Sequence, residues 1–322
     1  MRYALALSFA IVTFTSPYAL ANHGPGTSGG GSSTISGETL KPGQLSLDVR
    51  MDYTEFEHLS RAEAEHRAVE SGGFDALRRA FVYTGTLSYG VIEDFQISAT
   101  IGYYHGEGFV DAERSEDDPT VGESGIADPE GLTDLFINAK YRILHGQPGN
   151  LALVGGIKFP VGRDDVKLSN AESLEASSQP GTGAYDFQFG LGYSRFLTSH
   201  LTIDASALYT LRTRHDDFKV GDRFDAGVAL AYRLTESIKS FPQWSVFGEA
   251  SYIWLGKDDA GGDEGINNNS GGNTLYLTPG LRVRFGEHTS LTVAPSFPAW
   301  QDLQGDQIKS QVKLAVTFTY AF

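Results

Sequence analysis

Forty acidic residues and eight histidines are the side chains of this 322-residue chain that could perform acid–base catalysis or bind a metal ion. The histidines show no pairing at the spacing typical of metal ligands. The chain has no cysteine, which excludes a disulfide framework, a thiolate metal site and a thiol nucleophile. We therefore predict no catalytic residue, no metal ion and no cofactor. A histidine beside a serine or aspartate could still form a phospholipase-like or protease-like site, so an enzyme remains an alternative.

The acidic residues are concentrated in a few segments. Residues 107–130 contain nine Asp and Glu against one Arg, and a second cluster follows at residues 258–264. Neither segment matches a twelve-residue calcium loop, so divalent-cation binding is a hypothesis beside the simpler interpretation of solvated acidic loops. The net charge of −15 argues against nucleic acid as a partner, because binding phosphates requires a basic face.

Alternating apolar and polar residues define the elements that must position these charges. From Leu45 to Thr54, from Phe95 to Tyr103 and from Val312 to Phe322, every second residue is apolar. This period of two predicts strands with one apolar and one polar face. The predicted strands are 44–58, 79–89, 95–105, 132–144, 151–160, 184–197, 201–213, 222–234, 243–256, 274–285, 290–299 and 310–322. Pro279 and Pro295 lack a ladder N–H, which predicts bulges at these positions.

Two N-terminal segments precede the strands. Residues 1–21 have the features of a signal peptide: Arg2, a short apolar core and the cleavage pattern Ala19-Leu20-Ala21. Residues 22–43 are rich in Gly, Ser and Thr, and we predict a flexible arm because this composition offers little apolar surface to bury. Residues 44–322 then form the remaining domain, exported from the cytoplasm.

The connections between the predicted strands alternate in length. Short links, such as 90–94 and 198–200, alternate with long ones, such as 59–78, 106–131 and 160–183. Short turns on one side and long loops on the other are typical of an outer-membrane β-barrel with extracellular loops. We predict an all-β fold, a transmembrane antiparallel up-and-down barrel of about twelve strands in the outer membrane of a Gram-negative bacterium. Outer-membrane lipid and lipopolysaccharide are then expected partners.

The polar faces of the strands define the lumen, because charges in a barrel strand are costly against hydrocarbon. The candidate residues for lining the lumen or contacting a solute are Asp48, Arg50, Asp52, Lys140, Arg142, Lys158, Asp186, Asp204, Arg212, Arg233, Glu249, Arg282, Arg284 and Lys313. Lys158, Arg282 and Arg284 are the strongest candidates for solute contact. This lining predicts a path for a small polar or anionic solute. The alternative is a structural barrel plugged by ion pairs, with acidic loops that bind a partner.

Several motifs carry a resemblance to a known family. They are Gly131–Leu135, Lys140–Arg142, Gly156–Gly162 and Gln179–Asp186. With them, the chain resembles the outer-membrane transporter family linked to the meta-pathway of phenol degradation. The aromatic last strand, which ends in Phe322, resembles the signal that such barrels present to the barrel-assembly machinery. The resemblance implies a porin-like channel or transporter for passive movement of a small solute, which in this family would be aromatic.

Overall fold

Twelve antiparallel strands close into a barrel. The computed structural model describes residues 30–115, 117–237, 239–262 and 265–322; the predicted signal peptide and residues 22–29 lie outside these ranges. The barrel strands are β1 (Leu45–Phe56), β2 (Arg79–Ile92), β3 (Phe95–Glu107), β4 (Leu135–Leu144), β5 (Asn150–Phe159), β6 (Asp186–Phe196), β7 (Leu201–Arg212), β8 (Arg223–Arg233), β9 (Gln243–Leu255), β10 (Gly272–Arg284), β11 (Thr289–Leu303) and β12 (Ser310–Ala321). Each strand pairs with its neighbours in sequence, and β1 closes the barrel by pairing with β12. The twelve-strand prediction is confirmed.

The two prolines do not produce the predicted bulges. The β10–β11 ladder is interrupted between Leu277 and Leu281, and it keeps the same register on both sides of the gap. Pro279 and Pro295 both lie in this interval, so missing donors leave a gap in the hydrogen bonding rather than an extra residue. The register shift of this ladder is instead between Leu275 and Tyr276.

The strand faces follow the predicted alternation. Apolar side chains such as Val49, Leu87 and Phe189 are about half exposed on the outer surface. Exposed aromatic residues stand near both ends of this band: Tyr103, Tyr185 and Trp300 at one end, and Tyr141, Tyr232 and Tyr320 at the other. This apolar band with aromatic girdles is the surface of a barrel in contact with lipid, so the protein is located in the outer membrane. None of the helices in the described ranges has the length and hydropathy needed to cross a membrane.

Turn lengths orient the barrel. The connections 93–94, 145–149, 197–200, 234–242 and 285–288 are short and lie at the same end as the start of β1 and the end of β12. The opposite end carries the long loops 57–78, 108–134, 160–185 and 256–271, which makes it the extracellular end.

The extracellular loops fold into a small outer lobe. Helix α1 (Arg61–Ser71) begins at Ser60, whose side chain caps the Glu63 N–H. The helix packs on a sheet formed by Gly73–Ala76, Phe109–Arg114 and Gly122–Ala127. A second apolar cluster, Phe109, Val166, Leu168 and Leu174, joins the loop between β5 and β6 to this lobe. The shorter elements are Glu130–Leu132, which pairs with β3, the pair Asp259–Gly261 and Gly265–Ile266, and the 3₁₀ turn Ala176–Ser178.

Candidate functional site

The described part of the N-terminal arm, residues 30–43, enters the barrel lumen. Its backbone N–H groups donate hydrogen bonds to side chains of the barrel wall. Glu249 holds the centre: its carboxylate accepts the Ser32 N–H at 2.8 Å and the Thr34 N–H at 2.7 Å, with the Thr34 hydroxyl at 2.6 Å. Further along the wall, the Asp204 carboxylate accepts the Gly30 N–H at 3.0 Å. A carboxylate that accepts several backbone donors is a strong, charge-assisted anchor.

The carbonyl groups of the arm are bound by cations of the wall. The Arg50 Nη1 donates to the Ser32 oxygen at 2.7 Å, and the Arg282 Nη2 donates to the Gly31 oxygen at 3.0 Å. The Lys140 Nζ donates to the Ser36 oxygen at 3.3 Å. Carboxylates thus bind the N–H groups and cations bind the carbonyls, so the mixed charges of the lumen satisfy both sides of one backbone.

These contacts hold the described part of the arm, for which the composition predicts flexibility. Thr34 and Ser36 are almost completely buried, although the segment contains few apolar side chains. Glycine permits the close approach: a Cβ on Gly37 would lie 2.0 Å from the Asn150 oxygen. The Gly-rich composition therefore fits the backbone between charged walls, and hydrogen bonds rather than apolar burial order the segment.

Three cavities follow one another along the lumen. The mouth cavity, of about 490 Å³, lies under the outer lobe and shares Arg212 and Arg223 with the central cavity, of about 590 Å³. The central cavity shares Ile35 and Arg50 with the inner cavity, of about 260 Å³, on the periplasmic side. The arm supplies Ile35 to both, so it forms the boundary between the central and inner cavities.

The structure distributes the predicted lumen residues over these cavities. Those at the central cavity are Arg50, Asp52, Lys158, Asp186, Arg212, Glu249 and Lys313. Asp48, Lys140 and Arg282 line the inner cavity with Arg50, and Arg212 also lines the mouth cavity. Asp204 is fully buried beneath the arm. These residues therefore lie at the cavities or beneath the arm, and their contact with a solute stays a prediction.

Besides Asp204, three predicted lumen residues line none of the three cavities. The Arg142 Nε donates to the Asp94 carboxylate at 2.6 Å in the turn between β2 and β3. Arg233 donates to the carbonyl oxygens of the neighbouring turns, with Nη2 at 3.0 Å from the Ser199 oxygen. Arg284 donates to the Gln243 side chain and to the Glu287 oxygen, each at 3.3 Å. All three lie at periplasmic strand ends and contact the neighbouring turns or strands, and solute contact by Arg284 stays a prediction.

Ion pairs occupy the central cavity. The Lys158 Nζ lies 2.7 Å from the Asp186 carboxylate and 3.0 Å from that of Asp134. Arg50 and Arg223 each make a two-bond contact with the aspartate two residues later on the same strand face, at 2.6 to 2.7 Å. These bidentate pairs hold the guanidinium groups in fixed orientations along the wall.

Acidic side chains surround the mouth cavity. Asp75 and Asp111 are cross-strand neighbours in the sheet of the outer lobe, and Glu113 and Glu175 line the same cavity. Burial, together with the negative charge of Asp111, raises the pKa of Asp75 well above its usual range. Burial also raises the pKa of Asp111. The lobe therefore favours protonation of this pair.

This proton makes the stability of the outer lobe depend on pH. Because the folded lobe binds the proton more tightly than the unfolded chain, the stabilisation is complete below the ordinary Asp pKa and is lost as pH rises through the raised pKa. We expect Asp75→Asn, which removes the titrating group, to slow hydrogen exchange of Gly73–Ala76 and Phe109–Arg114 at neutral pH. The pH dependence of this exchange should also become weaker. The exposed Asp117→Asn is the control, and equal exchange profiles for both variants would refute this assignment.

The histidines lie at the rims and in the turns. His105 stands between Glu107 and Glu130, with nitrogen-to-oxygen distances of 3.6 and 3.5 Å. The His288 Nδ1 lies 2.8 Å from the Ala321 oxygen, beside the last residues of β12. Within the ranges that the structure describes, no group of three or more His, Asp and Glu residues is placed to hold a metal ion.

Some residues of the site were missed by the sequence pattern. The arm residues Gly31, Ser32 and Thr34 bind the lumen wall, and their only sequence signal was a polar, nearly uncharged composition next to a strongly charged lumen. Phe136 and Leu208 line the central cavity although they are apolar. A strict alternation rule assigns apolar residues to the lipid face, so it could not find them.

An outer-membrane channel of Pseudomonas putida F1, assigned to COG4313, superposes with a TM-score of 0.58 at 12% identity, over 88% of this chain and 97% of that chain. The translocator domain of the autotransporter NalP from Neisseria meningitidis gives a TM-score of 0.47 at 13% identity, over 88% and 90% of the two chains. No curated protein sequence matches the chain.

The first of these structures supports the barrel fold independently of sequence. A family profile extends the agreement to the sequence itself, and its match starts inside the predicted arm and covers the barrel as far as β11. The chain belongs to the family described as "Putative MetA-pathway of phenol degradation", which it matches over residues 24–297.

Proposed function

We propose that the protein is an outer-membrane channel for passive movement of a small polar or anionic solute, with the N-terminal arm as its constriction. The observation that carries this proposal is the succession of mouth, central and inner cavities, which share wall residues along the lumen. A twelve-stranded barrel is wider than the eight-stranded barrels that side chains fill, so an aqueous path fits its dimensions. The COG4313 protein of similar fold is itself described as an outer-membrane channel.

Charge gives the proposed path its selectivity. The central cavity has five cations (Arg50, Lys158, Arg212, Arg223 and Lys313) and four acids (Asp52, Asp186, Asp225 and Glu249). The inner cavity has three cations (Arg50, Lys140 and Arg282) and one acid (Asp48). A narrow passage with excess positive charge raises the local anion concentration. We therefore expect anions to permeate better than cations through the innermost part of the path.

A closed structural barrel is the second candidate, favoured by the depth at which Glu249 and Arg282 bind the arm. Planar-bilayer recordings of the mature, refolded protein separate the two candidates. Discrete current steps, with a reversal potential in a salt gradient that shows anion preference, would support the channel. Electrical silence of a preparation whose folding is confirmed by heat-modifiable migration would contradict it.

Arg282 offers a test of the selectivity. Arg282→Gln removes one of three cations at the inner cavity, so we expect the reversal potential in a salt gradient to shift toward cation permeation. Arg284→Gln is the matched control two residues along β10, because that side chain binds the neighbouring turn. Equal shifts for the two variants, or none for Arg282→Gln, would remove Arg282 from the path.

A further inference from the structure

The cations of the central cavity fall into two groups. Arg50, Lys158 and Arg223 each have a carboxylate partner within 3.0 Å. Lys313 and Arg212 line the same cavity, and neither makes an ion pair with a carboxylate in the described part of the chain. Buried or half-buried cations in proteins are normally paired, so two unpaired cations facing one cavity are available for an external anion.

Lys313 is positioned by an aromatic ring. Its Nζ lies 4.1 Å from the centroid of the Tyr276 ring, and the Tyr276 hydroxyl is fixed by a 2.7 Å contact with the Ser310 Oγ. The ring face stabilises the ammonium by a cation–π interaction but accepts none of its conventional hydrogen bonds. The donors of Lys313 are thus held at the wall of the cavity.

Arg212 is positioned by a backbone contact. Its Nη1 donates to the Gly221 oxygen at 3.1 Å, which ties the guanidinium to the loop before β8. One contact uses one of the five guanidinium N–H donors. Because Arg212 lines both the mouth and the central cavity, its free donors stand where a solute passes from one to the other.

Apolar side chains lie in the same cavity. Phe136, Leu208 and Ile253 project from the wall at positions where the strand pattern puts polar residues, and Ile35 adds an apolar contact from the arm. A cavity of about 590 Å³ is large enough for a small organic molecule. An inorganic anion would use the cations and leave the apolar side chains without a partner.

Because cations without a carboxylate partner and apolar side chains line the same cavity, we infer that the central cavity is a binding site for a small organic carboxylate with an apolar body. Lys313 and Arg212 bind the carboxylate, while Phe136, Leu208, Ile253 and Ile35 contact the apolar body. The inference rests on the proposed function, since it names the solute class of the same path. It also distinguishes the site from a neutral hydrocarbon route, which needs no cation.

Titration calorimetry of the full mature protein in detergent tests the site with benzoate, the neutral aromatic analogue benzyl alcohol, and acetate. We expect benzoate to bind at least about tenfold more tightly than either other probe, because benzyl alcohol lacks the charge and acetate lacks the ring. Equal affinity for benzoate and benzyl alcohol, or for benzoate and acetate, would overturn the inference, as would absence of benzoate binding at millimolar concentration.

Variants locate the binding. Lys313→Met and Arg212→Gln should each weaken benzoate binding by a factor of about 10 to 100, the range for a lost hydrogen bond to a charged group. Arg142→Gln, whose side chain binds Asp94 outside the cavities, is the matched control and should bind benzoate like the parent protein. Unchanged binding in both cavity variants would overturn the assignment even if benzoate binds.

Potassium chloride currents of the same preparation separate this inference from the proposed function. Currents without benzoate binding would overturn the carboxylate site and leave the channel intact. Benzoate binding that weakens in both cavity variants, in a protein without currents, would support the site and refute the channel.

Discussion

Deletion of residues 30–40 is expected to raise the single-channel conductance several-fold, because this segment forms the boundary between the central and inner cavities. The deletion leaves the turn at residues 41–44 and all twelve barrel strands in place. It also leaves the buried charges of Asp204, Glu249 and Arg282 to be hydrated by water entering the lumen. The measurement is single-channel recording in planar bilayers. A folded deletion variant with the conductance of the parent would show that the arm does not limit the path.

An engineered disulfide between the arm and the barrel wall can hold the arm inside the lumen. The chain has no cysteine of its own, and a Cβ built on Gly227 lies 3.6 Å from the Thr34 Cβ. This falls within the range of about 3.5 to 4.5 Å found in disulfides. Thr34→Cys combined with Gly227→Cys should hold the conductance at its lowest level until a reductant is added. Thr34→Cys alone is the control, and a reductant effect in that single variant would invalidate the lock.

Glu249 provides a milder version of the same test. Glu249→Gln removes the charge that binds Ser32, Ser33 and Thr34. This should weaken binding of the arm to the lumen wall by about 2 kcal/mol, which is a factor of about 30 in the ratio of bound to released arm. We expect more frequent transitions to the high conductance that we predict for the deletion variant. Glu107→Gln, at the outer end of β3, is the control.

The second large effect concerns stability. Lys158→Met is expected to lower the free energy of unfolding by about 3 to 5 kcal/mol, because it leaves the carboxylates of Asp134 and Asp186 buried without a cation. Both carboxylates are less than 10% exposed, at 6% and 7%. Urea unfolding in lipid vesicles, followed by tryptophan fluorescence, measures the change.

The exposed pair of Arg163 and Asp165 is the matched control. Their side chains are 47% and 80% exposed, so Arg163→Met should change stability by no more than about 1 kcal/mol. Adding Asp134→Asn and Asp186→Asn to Lys158→Met should recover much of the loss, since it removes the uncompensated charges. Similar losses for Lys158→Met and Arg163→Met would contradict the buried-charge explanation.

The barrel could be predicted because its pattern is local. The alternation of Leu47, Asp48 and Val49 predicts which side chains face lipid. The alternation of short and long connections predicts the up-and-down topology. The helix Arg61–Ser71 could also have been found, because Ser60 followed by Glu63 is a helix-start signal within an otherwise irregular loop. Its polar surface, with only Ala64 and Ala68 buried, gave no apolar periodicity to reveal it.

The binding of the arm in the lumen, and the position of each charged side chain along the barrel axis, could not be predicted in this way. The arm is ordered by contacts such as Glu249 with Thr34, which are about two hundred residues apart in sequence and leave no local pattern. Alternation gives the face of Arg282 and Arg284 equally, but not their distance along the lumen. Arg282 reaches the arm, whereas Arg284, two residues nearer the periplasm, meets the turn at Glu287.

The short connection between the arm and β1 makes the arm a tethered ligand of its own barrel. The Gln44 N–H donates to the Lys41 oxygen at 3.0 Å, and the Gly43 N–H donates to the Gly90 oxygen at 2.8 Å, so the tether is a tight turn at the periplasmic edge. Short tethers give effective concentrations on the order of millimolar. A soluble periplasmic peptide could therefore displace the arm only if it made equivalent contacts with the wall and were present at a concentration on this order.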